Sequence, residues 1–171
     1  MATIRFEKPE DIAFIHSVNE QAFGRVSEAK LVDTLRQAGA DHLSLVADDN
    51  GSIIAHIMFT PVLVTEEKQE LQGMGLAPIA VLPSRQRQGI GSLLIKDGLN
   101  ILHKKGCPFV IVLGHPEYYP RFGFKPASTF NLKSQWNGVP DEAFMILVMD
   151  HEAMKNVSGV ATFRDEFNDV L

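Results

Sequence analysis

A chain of 171 residues, 45% apolar and 22% charged, fits one globular domain with its own core, and its longest apolar run, Ala143–Met149, is far short of the ~20 residues a bilayer-crossing helix requires. The net charge of −5, with no Lys/Arg-rich block, argues against a nucleic-acid partner; it is compatible with a cationic substrate, but solubility alone is the reading it favours. A single cysteine, Cys107, excludes an intrachain disulfide, and "MATIRFEKPED" has no apolar signal-peptide region, so we expect a cytoplasmic protein.

"TIRF" reads as a short strand. Pro9 then opens a helix running to about Phe23, with Ile12, Ile15 and Ala22 as its apolar stripe. "EAKLVDTLRQAG" is a second amphipathic helix, stopped by Gly39. "LSLVAD", "DNGS" and "IIAHIMFT" predict a β-hairpin turning at Asn50-Gly51. A further strand-like piece, "VLVTEEKQELQ", follows Pro61, and "GMGLAPIAVL" reads as a strand covered on both faces. Ile90, Leu94, Gly98, Ile101 and Leu102 share one side of a helix from about Gly89 to Lys105, ended by Gly106. "FVIVL" is a continuous apolar strand, a short Tyr/Pro segment leads into "FGF", and "AFMILVM" is a late strand. A helix joining two apolar strands implies a parallel pair. The remaining strands look antiparallel, so the expected class is α/β (α+β) with a mixed sheet. No repeat or linker divides the chain, which we read as one domain over residues 1–171.

The stretch "SRQRQGIGSLLI", Ser84–Ile95, carries the chemistry. Glycine costs roughly 1 kcal/mol of helix propensity, yet Gly89 and Gly91 stand at a helix start. The first amides of a helix have no internal partner, and the macrodipole adds about half a positive charge there. If they face a ligand, an anion can sit on them, and side chains would block its approach. Arg85 and Arg87 would add charge-assisted contacts to phosphate oxygens. The same residues also fit close helix–strand packing beside solvated arginines. Neither a P-loop nor a Rossmann glycine pattern is present.

Gln86-Arg87-Gln88-Gly89-Ile90-Gly91 resembles the Q/R-x-x-G-x-G/A signature of the GNAT (Gcn5-related) N-acetyltransferase superfamily, between the strand "LAPIAVLPS" and the helix start "GSLLI". "VLGHPEYYPRFGF", Val112–Phe124, is similar to the later strand, tyrosine and Gly-Phe block of that superfamily. With "AFMILVM" and the tail "NVSGVATFRDEF", the resemblance spans nearly the whole chain and is strongest to the small bacterial YhbS-type members.

That resemblance implies a mixed, mostly antiparallel sheet of about six to seven strands with a splayed central parallel pair, flanked by about four helices. It implies acetyl-CoA as cosubstrate and no metal. Backbone groups of Ile79, Ala80 and Val81 would pair with the pantetheine arm. The amides of Gln88, Gly89, Gly91 and Ser92, in one turn with Ile90, would hold the pyrophosphate, bordered by Arg85, Gln86 and Arg87. The Val81 amide would be the oxyanion donor, and Tyr119, four residues before Gly123, the acid for the leaving thiolate, with Tyr118 as its substitute. Leu82-Pro83 would end the strand ahead of the loop, because a residue before proline avoids αR geometry. The implied reaction is acetyl transfer to a primary amine of a small molecule or protein. The other reading is an acyl-CoA-binding sensor that lost catalysis.

The sequence departs from the family in two places. Many relatives carry a carboxylate on the strand before the glycine loop, and "MGLAPIAVL" has none. His115 stands where many carry an asparagine-bearing motif. The general base is therefore open among Glu70, Glu117, His115 and His56. The six histidines show no metal-ligand spacing, and "HEAMK" lacks the second histidine of a zincin. "GHPEY" is not a hydrolase elbow. Cys107 reads as a quiet buried thiol and Trp136 as a cover for the core edge. The loops expected to meet the acceptor, 23–28, 62–72 and 131–141, carry no recognised code. A homodimer is compatible with the sequence, which has no signal for it.

Overall fold

The structure, a computed structural model, describes residues 2–170. The first strand, β1 (Thr3–Phe6), is followed by a 3₁₀ turn at Pro9–Asp11 that runs into α1 (Ile12–Phe23). Asp11 fixes this entry. Its carboxylate accepts from the Lys8 N–H at 2.7 Å and from the Arg5 guanidinium at 2.7 and 3.1 Å. The Arg5 hydrogen bonds hold the Asp11 carboxyl below the usual carboxylate range. α1 ends at Gly24, whose φ is +67°, and α2 (Ser27–Gln37) follows, with Gly39 beyond it as expected. The buried face of α1 is Ile15, Val18 and Asn19, whereas Ile12 is exposed. The apolar stripe read from the sequence was offset because a polar residue, Asn19, sits in the middle of the buried face.

β2 (Leu43–Asp49) and β3 (Ser52–Glu66) form the expected hairpin, with Asn50 and Gly51 both at positive φ as a two-residue primed turn requires. β3 does not stop at Pro61. Its last pair with β2 is Phe59 with Leu43, and Val62 begins a second antiparallel ladder, so Pro61 falls between ladders and its missing N–H breaks neither. The next turn lies at Glu67, at φ +51°, and leads into β4 (Gln69–Val81). Along β4 the residues from Ala77 alternate between buried and half-buried, in place of the two-sided burial expected.

α3 (Ile90–Lys104) connects β4 to β5 (Phe109–Leu113), and the two strands are parallel. The short strands β6 (Lys125–Pro126) and β7 (Leu132–Ser134) precede β8 (Phe144–Val148) and β9 (Gly159–Phe163). The order of hydrogen-bonded strands is β1-β2-β3-β4-β5-β8-β6, with β9 pairing β3 and β7. The sheet is mixed and mostly antiparallel, as expected, but among the described residues it has nine strands; β6, β7 and β9 are the additions. Three α-helices among the described residues stand in place of about four. The Tyr/Pro segment is a single 3₁₀ turn, Tyr119–Phe122, bounded by Pro120 in its first turn and by Gly123 at φ +98°.

The backbone forms two compact units. One takes in the chain up to Phe59, Ala77–Asn100 and the segment from Asp165. Its core joins Ile15 and Val18 of α1, Leu31, Val32 and Leu35 of α2, Leu45 and Ile57 of the hairpin, and Phe167. The other comprises Thr60–Leu76 and Ile101–Arg164, with Phe109–Val112 of β5 and Met145 and Ile146 of β8 at its centre. No described helix is long and apolar enough to cross a membrane.

Candidate active site

In the first unit, β4 ends where Leu82, extended at φ −49° and ψ 136°, donates its N–H to the Ile54 carbonyl at 2.9 Å. A 3₁₀ turn, Pro83–Arg85, begins the loop. The Gln86 side-chain amide donates back to the Val81 carbonyl at 3.0 Å, closing the loop on the strand it left. Arg87 at φ +63° and Gly89 at φ +83° then turn the chain into α3. The first helical bond runs from the Leu93 N–H to the Gly89 carbonyl at 3.1 Å. Among the amides ahead of it, those of Gly89, Ile90 and Gly91 have no upstream helical carbonyl to reach. A Cβ placed on Gly89 would meet nothing within 4 Å. Glycine is suited to that positive φ, and the side-chain direction at residue 89 is open.

The two arginines differ. The Arg85 guanidinium donates to the Asp49 carboxylate at 2.6 Å and holds that carboxyl below its ordinary range. Arg87 is exposed. Asp49, at the end of β2, is a residue the sequence reading missed, since nothing local links it to a loop 36 residues away.

β4 pairs with β5 in parallel at Met74 with Val110 and Gly75 with Ile111. Ile79 and Val81 are half-buried and Ala80 is buried on this stretch.

In the second unit, β5 runs out at Leu113 and Tyr119 opens the 3₁₀ turn. The Tyr119 N–H donates to the His115 carbonyl at 3.4 Å and that of Tyr118 to the same carbonyl at 3.1 Å. The Tyr119 ring is 6% exposed and meets Tyr118 and Phe124 edge-on, at centroid distances of 5.2 and 5.7 Å. Burial, with Tyr118 adding, pushes its phenol up to about 12. Complete proton transfer from such a phenol to a thiolate of pKa about 8.5 is uphill by roughly 5 kcal/mol. The group is therefore suited to donate a hydrogen bond to developing charge. Tyr118 is half-buried, with the Arg121 guanidinium carbon 4.5 Å above its ring.

Of the base candidates, His115 and Glu117 are exposed, and Glu70 lines a cavity of about 450 Å³ with Glu66, Lys68, Lys155 and Ser158. His56 is a correction. It is completely buried between Asn19 and Ser44. The Asn19 amide nitrogen donates to the Ile15 carbonyl at 3.0 Å and faces His56 Nδ1 at 3.1 Å, so Nδ1 accepts and Nε2–H donates to Ser44 Oγ at 2.9 Å. Burial first, then Arg36 and His42, lowers the ring to about 3, so it is neutral near pH 7, with its one proton on Nε2, and meets no solvent.

The same burial has a sign. An unfolded histidine titrates near 6.5, so the unfolded chain takes the proton first. The contribution of neutral His56 to stability is complete above about 6.5 and falls with pH toward 3, by at most about 1.4 kcal/mol per unit. Urea midpoints measured from pH 6.5 to 4 should fall less steeply for His56→Gln than for the natural chain. Equal slopes would show that another group governs acid sensitivity.

Cys107 is half-buried, not buried as expected; its thiol donates to the Phe109 carbonyl at 3.2 Å, and the partial burial raises its pKa. Trp136 packs its ring 5.3 Å from Phe163.

The acetyltransferase (GNAT) domain model matches residues 3–127. The Escherichia coli K12 protein YhbS, described as an uncharacterized N-acetyltransferase, is 37% identical over 166 residues, which cover 96% of this chain and 98% of the relative. The crystal structure of Escherichia coli YhbS in complex with CoA superposes with a TM-score of 0.91 at 36% identity, covering 98% of this chain and 92% of that one. A GNAT family acetyltransferase from Brucella melitensis, in complex with acetyl-CoA, gives 0.78 at 35% identity, with 98% of both chains covered. On the domain match and these two relatives, the chain belongs to the GNAT family of acetyltransferases.

Proposed function

We propose that this chain transfers the acetyl group of acetyl-CoA directly to a primary amine of a small molecule or a protein. The observation that carries the reading is the turn at Gly89–Gly91, which follows β4 and opens α3 with amides that precede the first helical bond, at Leu93 N–H to Gly89, and with an open side-chain direction at Gly89. Such a terminus takes anions, and the diphosphate of coenzyme A is one. The complexes of the Escherichia coli and Brucella melitensis proteins with CoA and acetyl-CoA support the choice.

In this reading the amides of Gln88, Gly89, Gly91 and Ser92, in one turn with Ile90, hold the diphosphate. Gln86 and Arg87 border it. Backbone groups of Ile79, Ala80 and Val81, further along β4 than its pairs with β5 at Met74 and Gly75, take the pantetheine arm. The Val81 N–H donates to the carbonyl oxygen as it gains charge. The amine nitrogen bonds to the acetyl carbon, the carbon–sulfur bond breaks, the ammonium proton leaves to water, and the sulfur departs with its electron pair. Tyr119 stabilises that sulfur by a hydrogen bond.

Arg85 acts through the loop. Paired with Asp49, it ties Pro83–Arg85 to the β2–β3 hairpin. Asp49→Asn should raise KM for acetyl-CoA about two- to fivefold, the scale of a partly exposed ion pair. If Arg85 were itself a phosphate ligand, freeing it would lower KM.

The activity is tested by following thiol release from acetyl-CoA with spermidine, kanamycin, lysine and a peptide with a free N-terminus. Acetylated product with at least one is expected. Tight CoA binding without acetylation of any amine would favour a sensor and overturn the proposal.

A further inference from the structure

We propose that Gly114 is a positioning residue for Tyr119: the absent side chain at the end of β5 is the seat of the tyrosine ring. The inference rests on the reading of Tyr119 given above. A Cβ at Gly114 would lie 2.4 Å from Cε2 of Tyr119, 3.0 Å from Cδ2 and 3.3 Å from Cζ. The first distance is far inside van der Waals contact, so any side chain there must move the ring. Gly114 is not among the glycines at positive φ, so its backbone conformation makes no demand for glycine.

Neither partner has an easy retreat. The Gly114 N–H is bonded to the Ala143 carbonyl at 2.9 Å, which fixes the backbone. The ring is held edge-on by Tyr118 and Phe124, and the Tyr119 N–H by the His115 carbonyl. The nearest ring atom, Cε2, is bonded to Cζ, the carbon that carries the hydroxyl, so displacement there moves the phenol oxygen. Restoring contact distance needs a shift of about 1 Å, and a misplacement of that size in a reacting group lowers rates by about a hundredfold.

Gly114→Ala should lower kcat ten- to a hundredfold while KM for acetyl-CoA stays within about twofold, with whichever of the four amines releases thiol fastest. Gly114→Ala combined with Tyr119→Phe should be no slower than Tyr119→Phe alone, because the seat has no purpose once the hydroxyl is gone. Losses that multiply would overturn the proposal. A readout without turnover separates it from the role of Tyr119. In the natural chain the Gly114 Hα protons should show nuclear Overhauser contacts to the Tyr119 ring protons, lost in Tyr119→Leu, whether or not Gly114→Ala folds. Absence of these contacts in the natural chain would overturn the seating itself. Unchanged turnover in Tyr119→Phe, with the contacts present, would instead remove Tyr119 from the mechanism and with it the catalytic purpose of the seat.

Discussion

Tyr119→Phe is expected to lower kcat tenfold or more while the Kd for acetyl-CoA stays within about twofold. The substitution keeps the ring, so the edge contacts to Tyr118 and Phe124 and the fit over Gly114 survive. Only the hydroxyl is lost. With the phenol pushed up to about 12, the group is neutral at every working pH, and its removal takes away a hydrogen bond and no charge. That bond matters only as the sulfur gains charge, so its loss falls on kcat. The pH profile of the remaining activity should keep its shape, because no titration near neutrality belongs to this phenol. Turnover equal to that of the natural chain would exclude Tyr119 from the chemistry.

Gly89→Val is expected to raise the KM for acetyl-CoA at least tenfold, with a smaller effect on kcat. Residue 89 sits at φ +83°, where a β-branched side chain is strongly disfavoured. The loop must turn differently to accept valine, and the amides of Gly89, Ile90 and Gly91 are re-aimed together. Tenfold in affinity is about 1.4 kcal/mol, roughly one charge-assisted hydrogen bond. Since nothing beyond its chain neighbours lies within 4 Å of the added Cβ, contact of that atom with the rest of the protein does not account for the loss. Gly39→Val is the control. That residue has φ +68° and equally open surroundings, at the end of α2. It should destabilise the fold to a similar extent and leave KM unchanged. Equal effects of the two substitutions on KM would show that backbone strain, and not the phosphate loop, is being measured.

The order of elements was legible in the sequence because it follows from hydrophobic period and from turn residues such as Asn50-Gly51 and Gly106. The errors arose where a long-range partner decides. Pro61 reads as a strand boundary, yet it lies between two ladders of one strand. β6, β7 and β9 are short segments stabilised by pairing with β8, β3 and each other, and local pattern holds no trace of those partners. Asn19 interrupts an apolar face because its amide meets His56, 37 residues away.

The candidate site divides in the same way. The glycine loop could be read directly, since its function depends on backbone amides and on the absence of side chains. The partners that shape it could not. Asp49 meets Arg85 only because the hairpin brings them together. Gly114 looks like an ordinary end of a strand until the Tyr119 ring is found resting on it. His56 looked like a base because a histidine in an apolar strand is ambiguous; its burial between Asn19 and Ser44 decides the matter.

The most direct test of the diphosphate claim is an amide proton–nitrogen NMR titration of the full chain, with acetyl-CoA and, separately, with S-acetylpantetheine, which lacks the diphosphate. Large downfield shifts at Gly89, Ile90 and Gly91 with the first compound and none with the second are predicted. Saturation by acetyl-CoA with those three amides unmoved would contradict it.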